Sequence, residues 1–113
     1  MTNPIIHPIN RLKICAALNA AGAYEGEVRY EMRFGTLRDA TQLSDATLSK
    51  QLTALEEAGY ITRFREYGST RQKDTVWVTL TREGRAAFLA HMDALEALAR
   101  VRRASRSNSP GTL

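Results

Sequence analysis

Cysteine is almost missing from this chain. Cys15 stands alone among 113 residues, so no intramolecular disulfide can form. Its neighbours Ile14, Ala16 and Ala17 point to a buried core thiol on a helix. The sharper alternative, a redox sensor, wants a basic or histidine neighbour to activate the thiol, and none adjoins it. Histidine is scarce too: His7 and His91 are the only two, and with one cysteine they fall short of a tetrahedral metal set within one chain. They could meet across a dimer interface, but solvated or capping histidines are the plainer reading. Neither has clustered carboxylates beside it in sequence, so no general acid–base pair stands out. A glycine-rich phosphate loop and a nucleophile motif are also missing. An enzyme is therefore not expected, and neither is a cofactor. Long apolar runs are absent as well, because Asn, Arg or Glu interrupts each one before it reaches a membrane span. The opening Met1 to Pro8 lacks the basic region and apolar core of a signal peptide. A cytoplasmic protein with no membrane partner is the expectation.

The composition that remains is that of a soluble globular protein, 43% hydrophobic and 25% charged. The length suits one domain with a real core. Net charge is +4 with a pI near 9.6, which permits a polyanionic partner without requiring one. Arg100, Arg102, Arg103 and Arg106, a terminal run read as having no acid nearby, account for the whole excess. The run can be read as a grip on DNA backbone. The preferred reading is a helix end, where cations suit the dipole. Charge alone does not point to a function, so a motif has to.

Along the chain, Pro4 and Pro8 bracket an extended lead-in. A helix is expected from Pro8 or Ile9 to about Ala20, with Ile9, Leu12, Cys15 or Ala16, and Leu18 facing inward. Ala21 to Glu27, with Gly22 and Gly26, reads as a loop. Val28, Tyr30, Met32 and Phe34 alternate with Arg29, Glu31 and Arg33, the period of a short strand. Gly35 is expected to break that strand, and Thr36 to cap a short helix carrying Leu37 and Ala40. Leu43 then anchors a turn.

Residues 43 to 61 are the most informative. Ser44 can cap a helix whose first turn gains favourable charge from Asp45. Leu48, Leu52 and Leu55 share one stripe, and Gly59 suits the left-handed position after the last turn. Ala46, Lys50, Thr53 and Ala54 point away from that stripe, with Thr47 and Ser49 on its flanks. These side chains are mostly short, and short side chains let a helix approach a groove. Tyr60 to Tyr67 and Thr75 to Leu80 then read as strands joined by the polar turn Gly68 to Asp74, a β-hairpin. Thr81 opens a long helix to about Arg102 with Phe88, Met92, Leu95 and Leu98 or Ala99 on its apolar side. Residues 1–104 form the expected domain, and 105–113 are expected to be a disordered tail. The order is helix, short strand, short helix, helix, hairpin, long helix. The short helix and its successor make a helix-turn-helix unit, and the hairpin behind it is a wing. The fold class expected is α+β, mostly α.

Three phrases carry a family resemblance. They are His7-Pro8-Ile9-Asn10-Arg11-Leu12-Lys13-Ile14, then Leu48 to Ile61 (LSKQLTALEEAGYI), then Val78 to Phe88 (VTLTREGRAAF). In this order and spacing the chain resembles the winged-helix transcriptional regulators of the MarR and ArsR type, in their small single-domain branch, over roughly residues 7 to 100. Two features depart from the pattern: a longer, more charged Glu25–Phe34 segment and a turn at Thr41-Gln42-Leu43 without glycine. The resemblance implies a helix, 45–58, that enters the major groove of double-stranded DNA. It makes Ala46, Thr47, Ser49, Lys50 and Thr53 the reading-helix contacts, and Arg63, Arg65, Arg71 and Lys73 the wing contacts. Wing cations would neutralise phosphates, whereas base identity needs side chains that reach groove edges. Lys50 can reach guanine, but Ser and Thr discriminate poorly, so two copies are expected to share the reading.

The long helix supports a pair, because Leu89, Ala97 and Val101 extend its apolar surface beyond one side. Similar proteins pair through this helix and the N-terminal segment, which implies a homodimer interface of Ile5, Ile6, Ile9, Phe88, Leu89, Met92, Leu95 and Leu98. The plainer alternative is that the helix closes the monomer's own core. The expected function is a sequence-specific regulator on a near-palindromic site, acting as a repressor because the chain has little room for an activation domain. A small-molecule effector would sit in the apolar space between dimer helices and core. The rival reading is a winged-helix protein–protein interaction module without specific DNA binding. It would call for exposed large apolar side chains on residues 46–54, and the sequence has none there.

Overall fold

The computed structural model describes residues 2–28 and 30–107, leaving aside the side chains of 105–107. Four helices and three strands follow one another: α1 (Ile9–Ala20), β1 (Met32–Arg33), α2 (Phe34–Thr41), α3 (Asp45–Glu57), β2 (Ile61–Glu66), β3 (Thr75–Leu80) and α4 (Arg82–Ser107). The sheet is antiparallel in the order β1-β3-β2. The chain is α+β and mostly helical, with a hairpin wing and a long C-terminal helix, as the sequence led us to expect.

The core gathers one stripe from each element. Ile14 and Leu18 of α1, Leu37 of α2, Leu48, Leu52 and Leu55 of α3, and Ile61, Val78 and Leu80 of the hairpin are all sealed from solvent. Cys15 lies among them, and burial pushes its thiol up to about 12, so it stays protonated and unreactive. Phe88 of α4 and Ile6 of the lead-in complete the cluster. Both were expected at a dimer interface, but they are already spent on the chain's own core. Ile9, expected to face inward, is 62% exposed. It precedes Ile14 by five residues, which places it about 140° round the helix from the buried stripe.

The alternating segment Val28–Phe34 contributes only Met32 and Arg33 to the sheet, opposite Val78 and Trp77. Competition for the edge of β3 explains the shortfall. The Leu80 N–H donates to the Ala23 carbonyl and its own carbonyl accepts from Glu25, so residues 23–25 occupy that end of the edge. The chain between must loop out, and Val28 and Tyr30 stay exposed. Arg29 lies outside the described residues. Gly35 does not break the element that follows. It sits in the first turn of α2, which starts directly from β1 with Arg33, not Thr36, at the cap position.

Local chemistry sets the ends of α3. The Ser44 hydroxyl accepts from the Thr47 N–H at its start. At its end Tyr60 N–H donates to the Leu55 carbonyl and Gly59 N–H to that of Glu56, with Gly59 at φ 78, the Schellman arrangement. The turn before α3 has no glycine, and Gln42 itself takes the left-handed conformation at φ 60. Its side-chain amide donates to the Asp39 carbonyl, a local compensation for that strain.

Thr81 caps α4 by accepting from Gly84 N–H, and a Cβ at Gly84 would run into the Tyr60 carbonyl, so only glycine lets the helix start so close to the α3–β2 junction. The helix then runs to Ser107, past the boundary expected at residue 104. Residues 108–113, the rest of the expected tail, lie outside the described residues, as does the Arg106 side chain. Arg100 is not free of acids: it pairs with Glu96 one turn earlier at 3.2 Å.

Candidate nucleic-acid interface

Three separate ties orient α3. Its leucines hold it to the core. Arg11 of α1 donates from Nε to the Gln51 side chain at 2.8 Å. Arg38 of α2 reaches Asp45 at 3.1 Å and Asp39 at 3.3 Å, bridging the two helices of the helix-turn-helix. Those last pairs are exposed, so their contribution is positional more than energetic.

The opposite face of α3 is the one the sequence pointed to. Ala46, Ser49, Lys50 and Thr53 are exposed along it. Thr47 is only half-exposed, because its hydroxyl is turned to the Ser44 cap at 3.0 Å. Thr53 is on the face, but its hydroxyl donates to the Ser49 carbonyl and accepts from Arg63. The face therefore offers one exposed cation, Lys50, and a short Ser49 hydroxyl beside it.

The wing differs from its expected form in one respect. Arg63 was assigned to phosphate, yet it is half-buried and held at 2.8 Å by Glu56 of α3. That bond keeps the Glu56 carboxyl below the usual carboxylate range. Arg63 thus ties the wing to α3. Register explains this: Arg63 lies opposite Val78, on the sheet face turned toward α3. Arg65 is on the same face, more exposed, with Asp74 at 3.5 Å. Ser49, Glu56, Arg63, Arg65, Phe34, Val76 and the exposed Phe64 line the groove between α3 and the hairpin. Arg71 and Lys73 are exposed in the loop, which Asp74 closes by accepting from Gly68 N–H. Sequence reasoning missed Glu56, Asp74 and Arg38. The first two neutralise cations read as free, and no local pattern marks an acid seven residues ahead of its partner across a helix end.

The N-terminal segment is tied to α4. The Asn3 N–H donates to His91 Nδ1 at 2.9 Å, and the Asn3 amide donates to the Tyr60 hydroxyl. His7 and His91 do come together, but within one chain, with ring centroids 5.6 Å apart. His91 is buried with Nε2 unpartnered, and burial, then the His7 charge, holds its pKa below the ordinary value.

Of the residues proposed for a dimer interface, Ile9, Leu89, Met92 and Leu98 are exposed, and Ile5 and Leu95 are half-buried. Among the described residues, no three His, Cys, Asp or Glu side chains converge as a metal site would require, and no helix is long and apolar enough to cross a membrane.

A helix-turn-helix whose second helix exposes a polar face and runs into a β-hairpin defines the winged-helix class of DNA-binding domain. A family model described as a winged helix DNA-binding domain matches residues 11–99. The chain belongs to that family, which is a DNA-binding and not a catalytic one. A search of curated proteins gave no match.

Proposed function

We propose that the protein is a sequence-specific regulator of transcription that binds double-stranded DNA as a homodimer, within the MarR-like style of winged helix. One observation carries the reading: the exposed row Ala46, Ser49, Lys50 and Thr53 on α3, flanked by the wing cations Arg65, Arg71 and Lys73. The row is narrow enough for a major groove, and its only long side chain is a cation able to reach guanine. Arg71 and Lys73 supply phosphate contacts. Arg63 serves as a strut.

Pairing rests on α4. Leu98 and Val101 are exposed on its distal half, where the chain's own core no longer reaches, and Ile9, Leu89 and Met92 add apolar surface nearer the body. Two-fold pairing there implies a near-palindromic site with half-sites about one helical turn apart. A bound dimer covers its site, so repression by exclusion is the direct consequence. Action in the cytoplasm is part of this proposal.

The test is selection of tight duplexes from genomic fragments, followed by fluorescence anisotropy at several salt concentrations. A near-palindrome bound ~10³-fold over random DNA is the expected result. Lys50→Ala should then lower affinity for that site more than for random duplex. Weak binding that selects no motif and disappears as salt rises would reject the reading.

A further inference from the structure

We infer that the outer face of the sheet carries a binding site for a small hydrophobic organic cation of the alkylammonium kind, seated among Tyr30, Phe64 and Trp77 and countered by Glu31 and Glu66. Pairing register builds the face. Trp77 of β3 lies opposite Phe64 of β2 on one side and Arg33 of β1 on the other. Residues directly opposite share a side of the sheet, and this side is turned away from α3 and the core. Tyr30 is 60% exposed and Phe64 54% exposed. The five residues line a shallow cleft.

None of these rings belongs to the core cluster, and none is among the proposed DNA contacts, although Phe64 also borders the groove toward α3. Their chemistry selects a ligand. Aromatic faces attract cations through the ring quadrupole, most strongly cations that shed water easily. Neither Glu31 nor Glu66 forms an ion pair among the described residues. Two acidic residues in the lining repel phosphate and other anions and leave a neutral apolar guest without a partner for either charge. A weakly hydrated alkylammonium satisfies rings and carboxylates together. One face of Trp77 already has such a neighbour: the Arg33 guanidinium lies 5.2 Å from the ring centroid. Arg33 lines the adjacent groove toward α2, leaving the cleft beside Phe64 open.

Phe64 and Glu66 share β2 with Arg63 and Arg65, which face α3 from the other side of the sheet. Occupancy of the cleft therefore bears on the wing, which makes the cation an effector. That last step rests on the DNA-binding reading; the binding itself does not.

Trp77 is the only tryptophan, so its emission reports on the cleft directly. The full chain would be titrated at constant ionic strength with benzyltrimethylammonium chloride, with sodium benzoate and benzyl alcohol as the anionic and neutral counterparts. A saturable change with the cation alone is expected. Paired Glu31→Gln and Glu66→Gln substitutions should weaken it about tenfold, and Phe64→Ala should abolish it, with circular dichroism and melting unchanged. Non-saturating quenching, equal responses to all three probes, or indifference to the Gln pair would overturn the site. In a second arm, the cation should shift affinity for a selected duplex at least about threefold in the wild type but not in the Gln pair. Cation binding with no such shift would overturn the effector role. Failure to select any duplex would count against the DNA reading and leave the first arm intact.

Discussion

The two halves of α4 are one continuous helix in opposite circumstances. In the first half Gly84 abuts the Tyr60 carbonyl, Phe88 enters the core, and His91 is sealed beneath the N-terminal segment. In the second half every residue from Glu96 to Ala104 is exposed, including Leu98 at 60% and Val101 at 68%. At 26 residues the helix is roughly 39 Å long, longer than a body of this size can cover. The contrast teaches that propensity and an apolar stripe suffice to continue a helix, while tertiary packing decides where it contributes to the fold. The distal half is built for a partner or is marginal without one.

The comparison sharpens first on stability. Phe88→Ala should cost about 3–5 kcal/mol by urea denaturation, whereas Leu98→Ala should stay within about 0.5 kcal/mol when dilution keeps copies apart. Equal losses would erase the distinction. Association comes next. Leu98→Glu together with Val101→Glu should weaken self-association at least about hundredfold in sedimentation experiments and leave the helical signal of the body intact. A wild-type chain that stays monomeric at high micromolar concentration would refute a paired distal half.

A smaller effect separates the halves by pH. His91 binds its proton less readily in the folded chain than at its ordinary 6.5, because burial, and then the His7 charge, penalises the charged form. Stability should be full above about pH 6.5 and decline as pH falls through that value toward the depressed native one. His91→Gln keeps an acceptor for the Asn3 N–H and cannot titrate, so thermal melts of this variant should show a flatter pH dependence. Smallest of all is the Arg100–Glu96 pair. Glu96→Ala should change stability by no more than about 0.5 kcal/mol, with the difference shrinking further in high salt.

Helix α3 was legible residue by residue because what sets its ends and its buried stripe is local. Ser44 caps it, three leucines face inward at helical spacing, and Gly59 ends it. The hairpin was equally plain, with β3 beginning and ending where its β-branched run does. What could not be read were outcomes of competition between distant segments. Residues 23–25 took the edge of β3 that the alternating stretch 28–34 would have extended along. Glu56 captured Arg63 before any phosphate could. Ile6 and Phe88 were apolar at positions that suited an interface or a core, and the core claimed them.

By itself, then, the order of residues determined the helices, the turn and the hairpin, since capping, periodicity and left-handed positions act over a few bonds. Tertiary structure alone decided which cations remain free, which apolar residues stay outside, and that Tyr30, Phe64 and Trp77 share one surface. Those properties depend on strand register and on which of several rival partners reaches a site first in space, and neither is a function of separation along the chain.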